Sequence, residues 1–414
     1  MGGMEVTHPR CAGLDISKTD AKACVRIQGA GSRRTASSVR TWGSMTREVM
    51  ALREDLIAQR VTRVVIEATG SYWKPFYYLF EDAPFETVLV NPTQVRAIPG
   101  RKSDVSDAAW LADLGAHDLV KASFVPPPPI RELRDLTRLR AVFTQDRTRE
   151  WARMEKLLED AGIKLSSVAS SMTLVSVRLM LDALVAGERD PARLSDLARG
   201  VLRKKIDLLN EALFGRFNDH HAFMVKTHLA MLDHLDAAIT DLDGRIEVMM
   251  EPFQDFADLI TTIPGIDTRV AQVVVAEIGV DMNVFPTAGH LASWAGVVPG
   301  SNSSAGRTKS TRARPGDRHL KAALGMSATS VARSKGTFLA ARYRRIAAHA
   351  GANRANVATQ HAILVAIWHM GRTGEVYTDL GADYHRRRNP DRARRRAITQ
   401  LESLGYRVIL EQAS

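Results

Sequence analysis

The sequence predicts an α/β domain at the N-terminus, then a long helical, coiled-coil region and a mainly α-helical C-terminal domain. Three observations predict it. Up to about residue 120, short β-branched runs alternate with segments of helical period. The run Pro126-Pro127-Pro128-Pro129 then makes a stiff break. Beyond it, apolar residues recur in threes and fours over long, charged stretches. The domain boundaries expected from these shifts are 1–128, 129–256, 257–375 and a basic tail, 376–414.

In the first domain, Ala12, Leu14 and Ile16 share one face of a strand by the period of two, with Asp15 on the other. Ala21 to Ile27 follows closely enough to pair with it as a hairpin, and Thr35 to Trp42 adds a third strand. Met45 to Gln59 has helical spacing. Val61 to Glu67 is a β-branched strand with Glu67 at its carboxyl end, where open α/β sheets hold their ligands. A helix is expected over Tyr72 to Glu81, a buried strand over Thr87 to Val90, and a further helix opening at Ser103. That opening puts Asp104 and Asp107, three residues apart, on one helix face.

Asp15, Glu67, Asp104 and Asp107 in this order form the pattern of a nuclease-type magnesium site on an RNase H-like fold. Clustered carboxylates repel and resist desolvation, and a bound Mg²⁺ removes both penalties while leaving water to exchange for phosphate oxygens. Taken singly, each acid has a structural reading: Asp104 as an N-cap, Asp107 as a first-turn charge, Asp15 and Glu67 as solvated strand ends. Taken together, acids beside buried apolar residues at two strand ends call for a ligand.

Composition agrees. The 414 residues allow two or three domains, and the net charge of +11 suits a polyanionic partner. Only Cys11 and Cys24 are present, so no disulfide framework is implied and a reducing cytoplasm is expected. No apolar run of about 20 residues, the length a membrane span needs, is present, and no membrane association is expected.

After the prolines, Ile130, Leu133, Leu136, Leu139, Phe143, Trp151, Met154 and Leu158 are expected to line one side of a long helix. Val225, Leu232, Leu235, Ile239, Leu242, Ile246 and Met249 make a heptad seam, with His228 as a polar seam residue rather than a metal ligand. The seam closes either within one chain or between two. Ile263-Pro264-Gly265-Ile266-Asp267 reads equally as a helix-hairpin-helix, whose turn would meet a phosphate, and as a plain αα-turn; Asp267 opposes the first. Ser301 to Arg314 reads as a polar, mobile loop with interleaved cations. His290 and His319, the histidines nearest to it, read as helix-surface residues. Arg386 to Arg396 is a dense basic cluster, read as a phosphate-binding arm or a solvated tail, and Gln400 to Leu410 as a small helix and strand. Trp73, Trp110, Trp151, Trp294 and Trp368 have core-like contexts, although tryptophans can stack on bases.

Gly13-Leu14-Asp15-Ile16-Ser17-Lys18, Ile66-Glu67-Ala68-Thr69-Gly70, Asn91-Pro92 and Lys102-Ser103-Asp104-Val105-Ser106-Asp107-Ala108 resemble the DEDD-type insertion-sequence transposases. The resemblance resumes at Ile263-Pro264-Gly265-Ile266, Leu291 to Pro299, Ser303-Ser304-Ala305-Gly306 and Gly316-Asp317-Arg318-His319-Leu320. It implies a RuvC-like N-terminal domain with Asp15, Glu67, Asp104 and Asp107 on Mg²⁺. It also implies a nucleophilic serine at Ser304, or at Ser303 if the register slips by one. Donor and target DNA, a bridge RNA as guide, and homo-multimers (dimers or tetramers) joined partly by helical coils are further implications. No zinc-finger spacing or base-reading helix is evident, which suits guidance by base pairing. Arg307, Lys309, Arg312 and Arg314 are then candidate phosphate contacts. The expected reaction is attack by Ser304 on a phosphodiester, assisted by a metal held at the four acids. Two rival readings are a RuvC-like junction-resolving nuclease that uses water and a non-catalytic nucleic-acid-binding protein.

Overall fold

The computed structural model describes residues 5–29, 34–98, 106–300, 302–304, 307–310, 312–313 and 315–410, and the chain divides into two units, Met1–Val125 and Pro126–Ser414. The first holds strands β1 (Arg10–Ile16), β2 (Asp20–Ile27), β3 (Ala36–Gly43), β4 (Arg63–Glu67) and β5 (Glu86–Val90), with helices α1 (Thr46–Ala58), α2 (Trp73–Phe80), α3 (Pro92–Ala97) and α4 (Asp107–Ala116). The sheet order is β3-β2-β1-β4-β5. The first three strands are antiparallel neighbours, and β1, β4 and β5 run parallel. This explains the unbroken apolar run in β4, because a central parallel strand is covered on both faces. One face packs Ala12, Leu14, Ile16, Val64 and Ile66 against Val49, Leu52, Leu56, Phe76 and Phe80 of α1 and α2. The other packs Cys11, Val65, Val88 and Val90 against Trp110, Leu111 and Leu114 of α4.

The expected strands and helices form here with ends shifted by a residue or two, except at the helix opening. There α4 begins at Asp107, and its N-cap is Ser106, whose hydroxyl accepts the Ala109 N–H at 3.3 Å. The helix expected to open at Ser103 is described from Asp107 onward, and Asp104 lies outside the described residues.

The second unit is helical: α5 (Pro128–Asp160), α6 (Leu165–Val168), α7 (Val175–Val185), α8 (Pro191–Ser195), α9 (Ile206–Leu213), α10 (Asp219–Met250), α11 (Gln254–Thr261), α12 (Thr268–Ile278) and α13 (Ala288–Trp294). A hairpin of β6 (Asn302–Ser304) and β7 (Arg307–Ser310) follows. Then come α14 (Arg318–Arg333), α15 (Phe338–Ala350), α16 (Ala352–Thr373), α17 (Tyr384–Arg388) and α18 (Pro390–Ser403).

Helices α5 and α10 pair antiparallel, as the contacts Glu150–His228, Arg147–Asp236 and Arg140–Asp243 require. The heptad seam thus closes within one chain. Its composition differs from the expected list. Leu229 is buried and His228 stands beside it, while Met250 rather than Met249 ends the seam. On α5, Leu139 is 41% exposed and the buried line carries Thr137, Arg140 and Glu150. Two long helices in contact over their length can bury polar groups where each finds a partner across the seam.

The serine segment forms a hairpin where a mobile loop is expected. Ser303 pairs with Thr308, and Ser304 with Arg307. The basic cluster of the tail lies on α17 and α18, and residues 406–410 form no strand, leaving Tyr406, Ile409 and Leu410 exposed. None of the five tryptophans named above is exposed. Among the described residues, no helix is long and apolar enough to cross a membrane.

Candidate functional site

A close approach of β1 to α4 organises the acidic residues of the first unit. Gly13 faces α4, and a Cβ there would lie 2.2 Å from the Ala108 carbonyl oxygen and 2.4 Å from the Ala112 nitrogen. Farther back, a Cβ at Gly115 would lie 2.7 Å from Cys11 Sγ. The strand therefore climbs toward the N-terminus of α4, and Asp15 comes two residues beyond Gly13 on the same face. Leu14 pairs with Ile66, so Asp15 and Glu67 are the next residues in register on neighbouring parallel strands, about 4.8 Å apart at the backbone. Glu67 shares its face with Val65, which meets Gly115. Asp15, Glu67 and the first residue of α4, Asp107, thus belong to one side of the sheet.

Asp15 and Glu67 are half-buried, Asp107 is exposed, and Glu67 Oε1 accepts the Thr69 hydroxyl at 3.3 Å. Lys22 pairs with Asp15 across the β1–β2 ladder and brings a cation to the same edge. Among the described residues, no three His, Cys, Asp or Glu side chains come close enough to hold a metal ion. Magnesium, however, is commonly held by one or two carboxylates, with water and substrate phosphate completing its shell. The neighbouring carboxylates of Asp15 and Glu67 fit that demand by chemistry and register.

In the second unit, the serine hairpin is held at its base. Pro299 bridges Ala313, and the Gly300 N–H donates to the Arg312 carbonyl at 3.0 Å. Ser304 is the last residue of β6, and Arg307 the first of β7, so the serine stands at the hairpin tip. Arg307 and Lys309 lie on β7; Arg312 is exposed and Arg314 lies outside the described residues. His290 bonds Thr287 Oγ1 at 2.8 Å inside the first turn of α13. His319 accepts from Arg318 Nε at 3.2 Å, and burial together with Arg138 lowers its pKa from the usual histidine range.

The segment leaving the hairpin packs against α13. A Cβ at Gly316 would lie 2.4 Å from the Ala295 carbonyl group. Asp317 then caps α14, accepting the N–H groups of His319 and Leu320 at 2.9 and 2.8 Å. Its second oxygen accepts Arg138 Nη2 at 3.1 Å. The Arg138 guanidinium also grips Glu277 through bonds of 2.8 and 2.7 Å, and Arg134 meets Glu277 Oε2 at 3.1 Å. Glu277 is fully buried. Burial opposes the charge on Arg138, but the Glu277 bonds outweigh it and raise the Arg138 pKa. This ionic node ties α5 to the end of α12 and the start of α14. Sequence reasoning missed it, although an acid inside the apolar run Val270 to Ile278 was a signal that a cation would have to meet it.

The turn expected at Ile263 to Asp267 joins α11 to α12. Asp267 Oδ1 accepts the Val270 N–H at 2.8 Å, so the N-terminus of α12 is already capped by a carboxylate. Gly265 has φ of 90°, and a Cβ there would lie 2.8 Å from the Ser327 carbonyl oxygen. The glycine serves packing of the turn on α14.

Comparison with known proteins agrees in both units. Residues 12–163 match a family described as transposase, the DEDD type of IS110. Residues 257–344 match the transposase IS116/IS110/IS902 family. Together the two matches cover more than half of the chain. A relative from Streptomyces coelicolor, described as an insertion element IS110 uncharacterized 43.6 kDa protein, is 38% identical over 88 residues. That similarity spans 21% of this chain and 21% of the relative.

Proposed function

We propose that this chain, which belongs to the IS116/IS110/IS902 family of transposases, is an RNA-guided DNA recombinase working through a covalent phosphoserine at Ser304. The observation that carries the reading is the register of Asp15 and Glu67 on the side of the sheet where α4 begins at Asp107. The sheet order, with three antiparallel strands followed by two parallel ones, supports an RNase H-like, RuvC-like assignment of the first unit.

Asp15, Glu67, Asp104 and Asp107 would hold Mg²⁺, which supplies neutralisation of phosphate charge and a lower cost for an attacking alkoxide. The remaining steps belong to the chain. Ser304 Oγ forms a bond to the phosphorus, the bond from phosphorus to the leaving deoxyribose oxygen breaks, and the serine proton ends on that oxygen. The ester energy is kept in the phosphoserine, so a hydroxyl end of the second DNA displaces the serine without a nucleotide cofactor. Arg307, Lys309, Arg312 and Arg314 neutralise the phosphates flanking the cut. A structured guide RNA supplies sequence choice by pairing, and the working assembly is a homo-oligomer in the cytoplasm.

The test combines protein, element-encoded RNA, donor and target DNA and Mg²⁺. Recombinants and a protein–DNA adduct are expected, and Ser304→Ala abolishes both while duplex binding stays within about 2-fold. Cleavage without an adduct, undiminished in Ser304→Ala, would instead identify a nuclease using water.

A further inference from the structure

The 57 residues from Arg318 to Gly374 contain nine lysines and arginines, four histidines and no aspartate or glutamate. They fold as α14, α15 and α16, which pack on one another. By contrast, Arg134, Arg138, Arg140, Arg147, Arg149 and Arg153 of α5 all meet carboxylates. None of the nine cations in this segment does so among the described residues. Arg333, Lys335, Arg345 and Arg354 are exposed.

Arg342 is the sharpest case. Its side chain is half-buried on α15, and its Nε is buried with no hydrogen-bond partner. Burial and the neighbouring Arg345 lower its pKa from the usual arginine range. His361 of α16 is lowered by burial and by Arg342 itself. A guanidinium held among cations, with a buried donor unmet, is a costly arrangement unless an anion completes it. On α14, Ala322, Gly325, Met326, Thr329, Ser330 and Arg333 line a groove of about 470 Å³, whose small side chains allow a backbone to approach.

We propose that α14, α15 and α16 form a face for the phosphodiester backbone of duplex DNA, with Arg342, Arg345 and His361 as its anchor. Duplex is favoured over unpaired strands because no phenylalanine, tyrosine or tryptophan ring on these helices is exposed to stack on a splayed base. The inference rests on the nucleic-acid reading above and adds a surface that neither the acids nor the serine hairpin supplies.

Binding of the full chain to a labelled 40-base-pair duplex is measured across a salt series, with no cleavage step. Arg342→Gln/Arg345→Gln is expected to weaken binding roughly 10-fold and to reduce the slope of log affinity against log salt by about 2, near one unit for each phosphate no longer neutralised. Arg342→Lys restores most of its part of the slope. Lys226→Gln/Arg245→Gln, the same charge change on α10, leaves the slope intact. An unchanged slope in the α15 variant, or an equal change in the α10 control, overturns the proposed face. Loss of structured-RNA binding with duplex binding untouched overturns the assignment to DNA. Wild-type chain that binds no duplex at all overturns the proposed function as well.

Discussion

Gly13 has no side chain, yet it sets where Asp15 stands. The helix backbone it touches leaves no room for a methyl group, with the Ala108 oxygen only 2.2 Å from a Cβ. Gly13→Ala must therefore push β1 off α4, at a cost of about 1–3 kcal/mol typical of overpacking, and move Asp15 away from Asp107. Strand-transfer activity is expected to fall at least 10-fold, while duplex binding by the second unit persists. Equal losses of binding and transfer would show that the glycine matters only for folding. Asp15→Asn, which keeps the shape and removes the charge, is expected to abolish transfer with the melting temperature within a few degrees. Retained transfer in that variant contradicts the assignment of Asp15. The two acids were legible in the sequence because strand alternation fixes sidedness. The glycine's role was not, since it depends on which helix covers the strand.

Among elements, the α5–α10 pair shows how a seam tolerates charge. Glu150 is buried against His228 at 2.6 Å and Arg153 at 2.6 Å. Burial opposes its ionisation, but those two hydrogen bonds outweigh it and hold its carboxyl below the usual range. A depressed carboxyl contributes stability that is present above its unfolded value of about 4.3 and lost as pH falls below it. Thermal melts of the full chain should therefore lose stability below about pH 4, and Glu150→Gln should flatten that loss. An identical acid profile in the variant would remove Glu150 from the account. Apolar periodicity located both helices, but by itself it chose Leu139 and Met249, which are not the residues buried. Side-chain facing in a long helix pair depends on the partner's surface, which the helix's own sequence does not contain.

For the whole molecule, each of the two units has buried core residues of its own among the described residues, which predicts separate stabilities. Cys11 to Val120 supplies the sheet's two faces, and Met154 to Leu232 supplies a helical core of its own. Calorimetry on the full chain should resolve two unfolding transitions, and a destabilising Gly13→Ala should lower one of them alone. A single transition that shifts as a unit would refute independent folding. Charge is divided as unevenly as the cores. Arginines in α5 are matched by acids on α10, α12 and at Asp317, whereas those of α14 to α16 meet no acid among the described residues.

By itself, the amino-acid order determined the strands, the long helices and the strand-end acids, because period-two and period-3.6 patterns are local consequences of backbone geometry. It also carried the family resemblance in both halves. Tertiary structure alone decided that the heptad seam closes on its own chain, that Glu277 meets Arg138, and that Arg342 meets no acid among the described residues. Each of these outcomes pairs or separates groups far apart in the chain, and the free energy of a buried charge depends on which distant residue arrives beside it.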